Sequence, residues 1–218
     1  MFTVRTLWEG RWPLLVLAGL MVVSFWIGMT GRGWGWVACG MFAVLFAFTV
    51  SFFRDPERTA PTDPQAIVAP ADGRVVEVRT TAEAHFLKGE AQMVAIFLSV
   101  FDVHVQRAPL AGEIKLVKYV PGKFLDARSA KVSEENENRI IGIEAPDGLR
   151  VTVRQIAGLI ARRIVGWADT GARLERGERF GMIRFGSRVE IFLPPVVEVM
   201  VKVGDYAKGG ETILARKR

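Results

Sequence analysis

Two stretches near the C-terminus of this 218-residue chain share one pattern: Gly171-Ala-Arg-Leu-Glu-Arg-Gly177-Glu178 and Gly204-Asp-Tyr-Ala-Lys-Gly-Gly210-Glu211. The glycines are spaced alike, and a hydrophobic residue stands two places after each glutamate. Glycine adopts the positive φ angles that many tight turns require at no steric cost. The repeat therefore predicts two equivalent turn units within one domain.

Each unit resembles the Gly-Asp-x-Val-x-x-Gly turn of lipoyl and biotinyl domains, and two such units can interleave into a barrel-sandwich of short strands. A carrier role is not expected, because the chain contains neither Met-Lys-Met nor Asp-Lys-Ala. Short β-branched runs between glycine and proline turns predict the strands. These are Arg74–Val78, Val94–Phe97, Val103–Gln106, Glu113–Tyr119, Ile140–Glu144, Arg150–Gln155, Val189–Leu193 and Val197–Val203. Within this region, a short helix is predicted only at Ala157–Val165. The sequence thus predicts a mainly β, barrel-sandwich-like (lipoyl/biotinyl-like) domain.

The first quarter of the chain is apolar. Trp12–Met29 and Trp34–Phe53 contain no charged residue, and each is long enough as a helix to cross roughly 27–30 Å of hydrocarbon. A cleaved signal peptide would lack the second run, and a buried core hairpin would have a polar face. We therefore predict a membrane-anchoring helical hairpin over residues 1–53, which either spans the bilayer or re-enters it.

Charge and proline mark the boundaries of this hairpin. Basic residues flank its outer ends (Arg5, Arg11, Arg54 and Arg58), whereas only Arg32 lies in the turn. This asymmetry favours a cytoplasmic location for both termini. The run Arg54-Asp55-Pro56-Glu57-Arg58, followed by Pro61 and Pro64, predicts a linker over residues 54–68. Residues 69–218 are then the second domain.

Composition excludes several classes of function. The net charge is +6, but the acidic and basic residues are well mixed, so nucleic-acid binding is not expected. One cysteine, Cys39, excludes a disulfide framework and a Cys-based zinc cluster. With two histidines, His85 and His104, no metal site is expected.

Two short motifs could carry chemistry. In Phe101–Arg107, a strand would place Asp102 and His104 on the same face, where the carboxylate can orient the imidazole for acid–base work. The pair could equally be structural. The Gly186–Ser187 step is either a tight turn or a strained peptide bond that the serine hydroxyl attacks, as self-cleavage by serinolysis requires.

These motifs belong to an ordered series of blocks. The blocks are Phe53–Arg58, Ala69–Gly73, Asp102–Pro109, Tyr119–Phe124, Glu135–Arg139, Gln155–Ile164 and Arg179–Arg188. In order and spacing the chain resembles the phosphatidylserine decarboxylase proenzymes, in their short single-domain form. Many members of that family have Leu-Gly-Ser-Thr at the cut, whereas this chain has Phe-Gly-Ser-Arg.

The resemblance implies self-cleavage between Gly186 and Ser187. The products are a β chain (residues 1–186) and an α chain (residues 187–218), which begins with a pyruvoyl group derived from Ser187. That group condenses with the amine of phosphatidylserine and accepts electrons as carbon dioxide leaves, so that phosphatidylethanolamine forms without a metal.

The resemblance also assigns roles to other residues. Asp72 and a histidine act as a base relay with Ser187, and Asp102 orients His104. Longer members have a second histidine where this chain has Arg107, so the sequence leaves open whether His104 serves both cleavage and decarboxylation. Lys123, Phe124 and Arg139 are expected near the lipid head group, although Lys123 and Arg139 are explained equally well as solvated loop charges.

The resemblance further implies attachment to the inner membrane, with the catalytic domain on its cytoplasmic side. Dimerisation through exposed strands stays open. Two rival interpretations are a noncatalytic membrane-attached module, which has no reason to split at Ser187, and a related decarboxylase that acts on another amine.

Overall fold

The structure is a computed structural model that describes residues 3–126, 132–158, 163–184 and 187–217. The chain divides into two compact units, Met1–Glu57 and Arg58–Arg218. The first unit is helical and the second is built from strands, which confirms the predicted mainly β fold with an N-terminal helical hairpin.

The first unit consists of helices α1 (Val4–Met29) and α2 (Trp34–Phe52). Gly31, with φ +83°, lies in the turn between them. The helices approach closely at Gly28 and Gly35, where a Cβ on Gly35 would lie 2.3 Å from the Gly28 nitrogen. Both helices are long and apolar enough to cross a bilayer, and most of their surface is exposed rather than packed inside the protein. An apolar helix that is exposed on most sides suits a lipid environment.

In the described part of the second unit, fourteen strands form three sheets, and there is one short helix. The strands are β1 (Ala66–Val68), β2 (Gly73–Glu83), β3 (Gly89–Leu98), β4 (Val105–Arg107), β5 (Gly112–Val120), β6 (Asn138–Glu144), β7 (Arg150–Ile156), β8 (Arg163–Gly166), β9 (Arg173–Leu174), β10 (Arg179–Arg184), β11 (Ser187–Leu193), β12 (Val197–Val199), β13 (Tyr206–Ala207) and β14 (Ile213–Lys217). Helix α3 is Val132–Glu135. The large sheet has the order β13-β2-β3-β11-β7-β6-β5-β9, and the small sheets are β1-β14-β12 and β4-β10-β8.

Strand β11 runs through the middle of the large sheet, antiparallel to β3 on one side and to β7 on the other. Its odd-numbered residues Val189, Ile191 and Leu193 are fully buried in the main hydrophobic core. The even-numbered residues point to the opposite face, since side chains alternate along a strand. There Glu190, which is also buried, accepts hydrogen bonds from Arg188 Nε and Ser133 Oγ.

The two glycine-turn units adopt equivalent structures. Their four glycines, Gly171, Gly177, Gly204 and Gly210, all have positive φ, between 80° and 99°. The Gly171 N–H donates to Ile114 at 2.8 Å, and the Gly204 N–H donates to Val75 at 2.9 Å. Each unit then adds a two-residue strand, β9 beside β5 and β13 beside β2. The sequence repeat is therefore a structural repeat.

Three local predictions need correction. Ala157–Val165 is not a helix where it is described: residues 157–158 have no regular structure, Arg163–Gly166 is strand β8 beside β10, and residues 159–162 lie outside the described residues. The expected linker 54–68 ends in strand β1, which pairs with β14. Strand β4 begins at Val105, so Val103 and His104 lie in a loop. In the first two cases pairing with a distant strand decides the local structure.

Glu83, at the end of β2, organises the turn to β3. It is almost fully buried, and its carboxylate accepts the N–H groups of His85, Phe86 and Leu87 as well as the Thr152 hydroxyl. Burial by itself raises the pKa of Glu83, but the hydrogen bonds, from Leu87, His85, Phe86 and Thr152, outweigh burial and lower it. The ionised form of Glu83 therefore stabilises the fold.

We expect Glu83→Gln to lower the free energy of unfolding at pH 7 by about 2 kcal/mol, because an amide accepts these hydrogen bonds poorly. Since the folded pKa lies below the unfolded one, the stabilisation is complete above the unfolded value and disappears as the pH falls through the folded value. The difference in melting temperature between wild type and variant should shrink below about pH 4.5. Glu113→Gln, which removes only the solvent-facing pair with Lys115, is the control. Equal melting curves for wild type and Glu83→Gln at pH 7 would contradict the prediction.

Candidate active site

The residues that the sequence motifs single out lie at or near one end of the large sheet. Phe97, Arg188, Ile156, Asn138 and Val120 lie side by side there on β3, β11, β7, β6 and β5. Chain segments that enter or leave the sheet at this end include residues 99–104, the start of β11 and the loop before β6. Side chains that are far apart in the sequence therefore meet at this end.

Two connections link the same two pairs of strands. The first leads from β3 to β4 and carries His104; the second leads from β10 to β11 and ends at Ser187. Ser187 pairs with Leu98, and Met182 pairs with Val105. The Ile183 N–H also donates to the His104 carbonyl at 3.2 Å. The two connections therefore begin and end on the same strand pairs, which brings His104 into the neighbourhood of Ser187. Gly186 lies outside the described residues.

Ser187 is fully buried at the first position of β11. Among the described residues, its Oγ has no hydrogen-bond partner. Buried hydroxyl groups are normally hydrogen-bonded, since leaving one unpaired costs free energy. An unpaired buried oxygen next to the peptide bond that it is expected to attack is consistent with a nucleophile.

His104 is also fully buried. Its Nδ1 lies 2.9 Å from the main-chain oxygen of Asp102. A carbonyl oxygen only accepts hydrogen bonds, so Nδ1 must carry the proton. In the neutral imidazole, Nε2 then holds the lone pair. His104 is thus in the tautomer that can take a proton through Nε2.

Asp102 orients His104 through its main chain. The sequence predicted that the Asp102 carboxylate orients His104, but the imidazole donates to the Asp102 main-chain oxygen instead. Residues 99–104 form a turn rather than a strand, so the rule that residues i and i+2 share a strand face does not apply to them. The carboxylate instead caps that turn: Oδ2 accepts from the Ser99 N–H at 2.7 Å and Oδ1 from the Tyr206 hydroxyl at 2.6 Å. Asp102 therefore fixes the shape of the loop that holds His104.

Asp72 is buried in the turn before β2. Its Oδ1 accepts from the Gly209 N–H at 2.7 Å, and its Oδ2 pairs with Arg58 Nη2 at 2.8 Å. Burial is the main cause of a raised pKa at Asp72, and the Asp102 charge adds to it; the Gly209 N–H and Arg58 oppose it. The next residue, Gly73, pairs with Ala207, and the neighbouring Tyr206 donates to Asp102 in the loop of His104.

The internal repeat allows Asp72 to be compared with the residue at the equivalent position of a second, similar turn. The stretch Ala69-Pro-Ala-Asp-Gly73 corresponds to Ala108-Pro-Leu-Ala-Gly112, and Gly73 and Gly112 each pair with the short strand of a glycine-turn unit. The position of Asp72 is occupied by Ala111 in the second copy. The turn therefore does not need a carboxylate for its shape, which favours a chemical role for Asp72.

The three predicted lipid-binding residues have different surroundings. Lys123 is exposed and pairs with Glu135 at 2.7 Å, and Phe124 is half-buried; both follow β5 at the sheet end described above. The Arg139 guanidinium is buried and donates to the Ala168 carbonyl at 2.5 Å. Burial lowers its pKa, against the effect of Asp169. Lys123 and Phe124 are therefore at least partly exposed to solvent, whereas the Arg139 guanidinium is bound within the protein.

Sequence reasoning missed three polar residues at this site. Arg58 was noted only as a charge beside the hairpin, although it pairs with Asp72. Gln106 and Gln155 are fully buried and hydrogen-bonded to each other at 2.8 Å. All three lie within or beside the blocks quoted above, but nothing in a single sequence distinguishes a buried glutamine from one on a strand surface.

Comparison with known proteins supports the resemblance along nearly the whole chain. Residues 45–215 match the family model of phosphatidylserine decarboxylase. Several proteins named phosphatidylserine decarboxylase proenzyme are similar to this chain. The one from Symbiobacterium thermophilum is 46% identical over 94% of this chain and 93% of its own length. The one from Carboxydothermus hydrogenoformans is 46% identical over 95% and 94%, and the one from Trichlorobacter lovleyi is 51% identical over 79% and 78%. The chain therefore belongs to the phosphatidylserine decarboxylase family, whose members are carboxy-lyases.

Proposed function

We propose that this chain is synthesised as a precursor, cuts itself before Ser187, and then converts phosphatidylserine to phosphatidylethanolamine at the membrane with a pyruvoyl group made from Ser187. The observation that carries the proposal is the buried Ser187 Oγ, without a partner among the described residues, beside the loop in which His104 holds its proton on Nδ1. The relatives' designation as proenzymes is consistent with it.

Cleavage begins when His104 Nε2 takes the proton from Ser187 Oγ, which attacks the carbonyl carbon of Gly186. The bond from that carbon to the Ser187 nitrogen breaks, the nitrogen takes up a proton, and an ester joins Gly186 to the serine oxygen. Loss of the Ser187 α-proton then expels the Gly186 carboxylate and leaves dehydroalanine. Addition of water and loss of ammonia complete the α-keto group.

Asp72 and Asp102 have supporting roles in this scheme. The raised pKa of Asp72 makes its carboxyl group a better proton carrier near neutral pH than an ordinary aspartate. Arg58 and the Gly209 N–H hold that carboxyl group in place. Asp102 shapes the loop of His104 through its cap on the Ser99 N–H and its bond to Tyr206.

The pyruvoyl group supplies a ketone that binds the substrate amine and accepts electrons when the carboxylate is lost. The residues around Ser187 fit such a group. The start of β11 stays paired with β3 and β7 after a cut before Ser187. The neighbouring Arg188 is buried and forms ion pairs with Glu77 and Glu190, which hold this end of the α chain in the sheet.

The experiment that tests the proposal is the mass of the purified protein under denaturing conditions. We expect two fragments, residues 1–186 and residues 187–218, with the smaller one lighter than a serine-started peptide and blocked to Edman degradation. Under native conditions the fragments should co-elute, because β11 lies between two partner strands. A single active chain of 24.2 kDa would overturn the proposal.

We also propose that helices α1 and α2 anchor the protein in the inner membrane, with the catalytic unit on the cytoplasmic side. Both helices satisfy the length and hydropathy requirements of a bilayer span, and the flanking arginines favour this orientation. The anchor confines the site to the interface where the lipid lies.

Deleting residues 1–53 should therefore impair turnover of phosphatidylserine in vesicles far more than turnover of a soluble short-chain analogue. The control is the extent of self-cleavage, which should match that of the full chain because Ser187, His104 and Asp72 lie in the second unit. An equal loss of activity on both substrates would refute the anchoring role.

A further inference from the structure

A series of buried hydrogen bonds leads from Arg139 on β6 to His104. The His104 carbonyl accepts from Gln106 Nε2 at 2.8 Å, and Gln106 Oε1 accepts from Gln155 Nε2 at 2.8 Å. Gln155 Oε1 in turn accepts from Arg139 Nη1 at 3.4 Å. His104, Gln106 and Gln155 are fully buried, and Arg139 is 7% exposed.

The donor-to-acceptor direction of these hydrogen bonds is set by Arg139, at the end away from His104. A guanidinium group only donates hydrogen bonds, so Gln155 must turn its oxygen towards Arg139. Its NH2 group then faces Gln106, whose oxygen must receive it. The Gln106 NH2 group is left to face the His104 carbonyl, which can only accept. Each amide orientation follows from the one before it.

Arg139 is itself held firmly. Its Nη2 donates to the Ala168 carbonyl at 2.5 Å, and the guanidinium group lies against Gly166 on β8. A Cβ at Gly166 would be 2.3 Å from Arg139 Cζ, so any larger residue there would displace the guanidinium group. The arginine therefore gives the chain of amides a fixed end.

At the other end, Gln106, Ile183 and Asp102 hold His104. Gln106 Nε2 and the Ile183 N–H bind its carbonyl, while Asp102 accepts from its Nδ1. The imidazole and the main chain of the same residue are thus both fixed. Without the Gln106 contact, the carbonyl loses a donor and the loop can shift relative to Ser187.

We propose that Gln106 is a positioning residue for His104, and that Arg139 through Gln155 fixes the orientation of the Gln106 amide. This inference rests on the proposed function of His104 as the base in self-cleavage. It assigns Arg139 to the support of His104, in place of the lipid head group expected from the sequence.

The test is Gln106→Glu, which has the same shape but different chemistry in its two protonation states. The protonated side chain can donate to His104 and accept from Gln155, as glutamine does. The ionised side chain has no donor and places an oxygen against the His104 carbonyl. Burial raises the pKa of such a carboxyl group towards the neutral range. The titratable and charged groups in this series of hydrogen bonds are His104 and Arg139, and Arg107 and Arg179 occupy the neighbouring positions of the β4–β10 pair.

The full-length precursor is made in a short cell-free pulse with detergent, and its cleavage is then followed on denaturing gels between pH 6 and pH 8.5. We expect Gln106→Glu to cleave about tenfold more slowly than wild type at pH 8.5, as the loss of a buried hydrogen bond implies. The ratio of the two rates should approach one at pH 6. Dividing by the wild-type rate removes any pH dependence that the two proteins share.

Gln92→Glu is the matched control, since Gln92 Nε2 also donates to a main-chain carbonyl, that of Val197, at 2.7 Å. Its rate ratio should not change with pH. A constant ratio for Gln106→Glu, or the same slope in Gln92→Glu, overturns the inference. Should Gln106→Glu fail to fold, Gln155→Met takes its place: it leaves the Gln106 amide free to turn, so slow cleavage supports the inference and a wild-type rate overturns it.

A His104→Asn precursor in the same assay distinguishes the proposed role of His104 as the base from the proposed positioning role of Gln106. If it cleaves at the wild-type rate, the proposed function of His104 fails and the positioning inference fails with it. If it does not cleave while Gln106→Glu follows wild type at every pH, the positioning inference alone is overturned.

Discussion

Ser187→Ala is expected to leave the protein as one chain of 24.2 kDa without phosphatidylserine decarboxylase activity. Alanine lacks the oxygen that attacks the preceding carbonyl, so neither the cut nor the pyruvoyl group can form. The fold should not suffer. The serine hydroxyl is buried without a hydrogen-bond partner in the described part of the chain, and removing an unpaired buried polar group does not destabilise a protein.

The measurement combines the mass under denaturing conditions, the melting temperature and the release of carbon dioxide from phosphatidylserine. Ser133→Ala is the control, because the Ser133 hydroxyl donates to the buried Glu190 at 2.5 Å. That variant should cleave itself yet melt at a lower temperature. A Ser187→Ala protein that still splits, or that still decarboxylates the lipid, would contradict the assignment of Ser187.

His104→Asn is expected to slow self-cleavage by about two to four orders of magnitude, the usual contribution of a general base. Asparagine can keep a donor near the position of Nδ1, and so the bond to the Asp102 carbonyl. It has no counterpart of Nε2. The substitution therefore removes the proton acceptor and preserves the loop. Pulse-labelled precursor, followed over hours on denaturing gels, gives the rate.

His85→Asn serves as the control for this substitution. His85 lies in the turn between β2 and β3, where its N–H donates to Glu83. Burial lowers the pKa of its imidazole, so the side chain is largely uncharged at neutral pH in wild type and variant alike. Cleavage in His85→Asn should match wild type. Rapid cleavage in His104→Asn, with normal melting of both variants, would exclude His104 as the base.

Much of the fold could be predicted because its signals are local. The apolar runs of α1 and α2 need only length and composition. The two glycine-turn units need only their spacing, which the positive φ angles of Gly171 and Gly204 explain. The family blocks likewise identified Ser187, Asp72 and His104 as candidates in three separate stretches of the chain. These features depend on residues a few positions apart, which a sequence displays directly.

The remaining features depend on pairing between distant strands. Residues 163–165 were predicted as helix, but β8 forms because β10 lies beside it. Arg139 was expected at the lipid head group, but the approach of Gly166 and Ala168 buries it. Asp102 holds His104 through its carbonyl oxygen because the segment between β3 and β4 is a turn.

By itself, the sequence determined the helical hairpin, the mainly β class, the repeated turn and the family, and it identified Ser187 as the candidate nucleophile. The tertiary structure alone decided how His104 is held: by Asp102 within its own turn, by Ile183 on the neighbouring strand, and by the Gln106 amide, whose orientation Arg139 sets. The physical reason is that hydrogen-bond direction and burial are properties of residues brought together by strand register. Apolar periodicity and glycine spacing, in contrast, involve residues that are close together in the sequence.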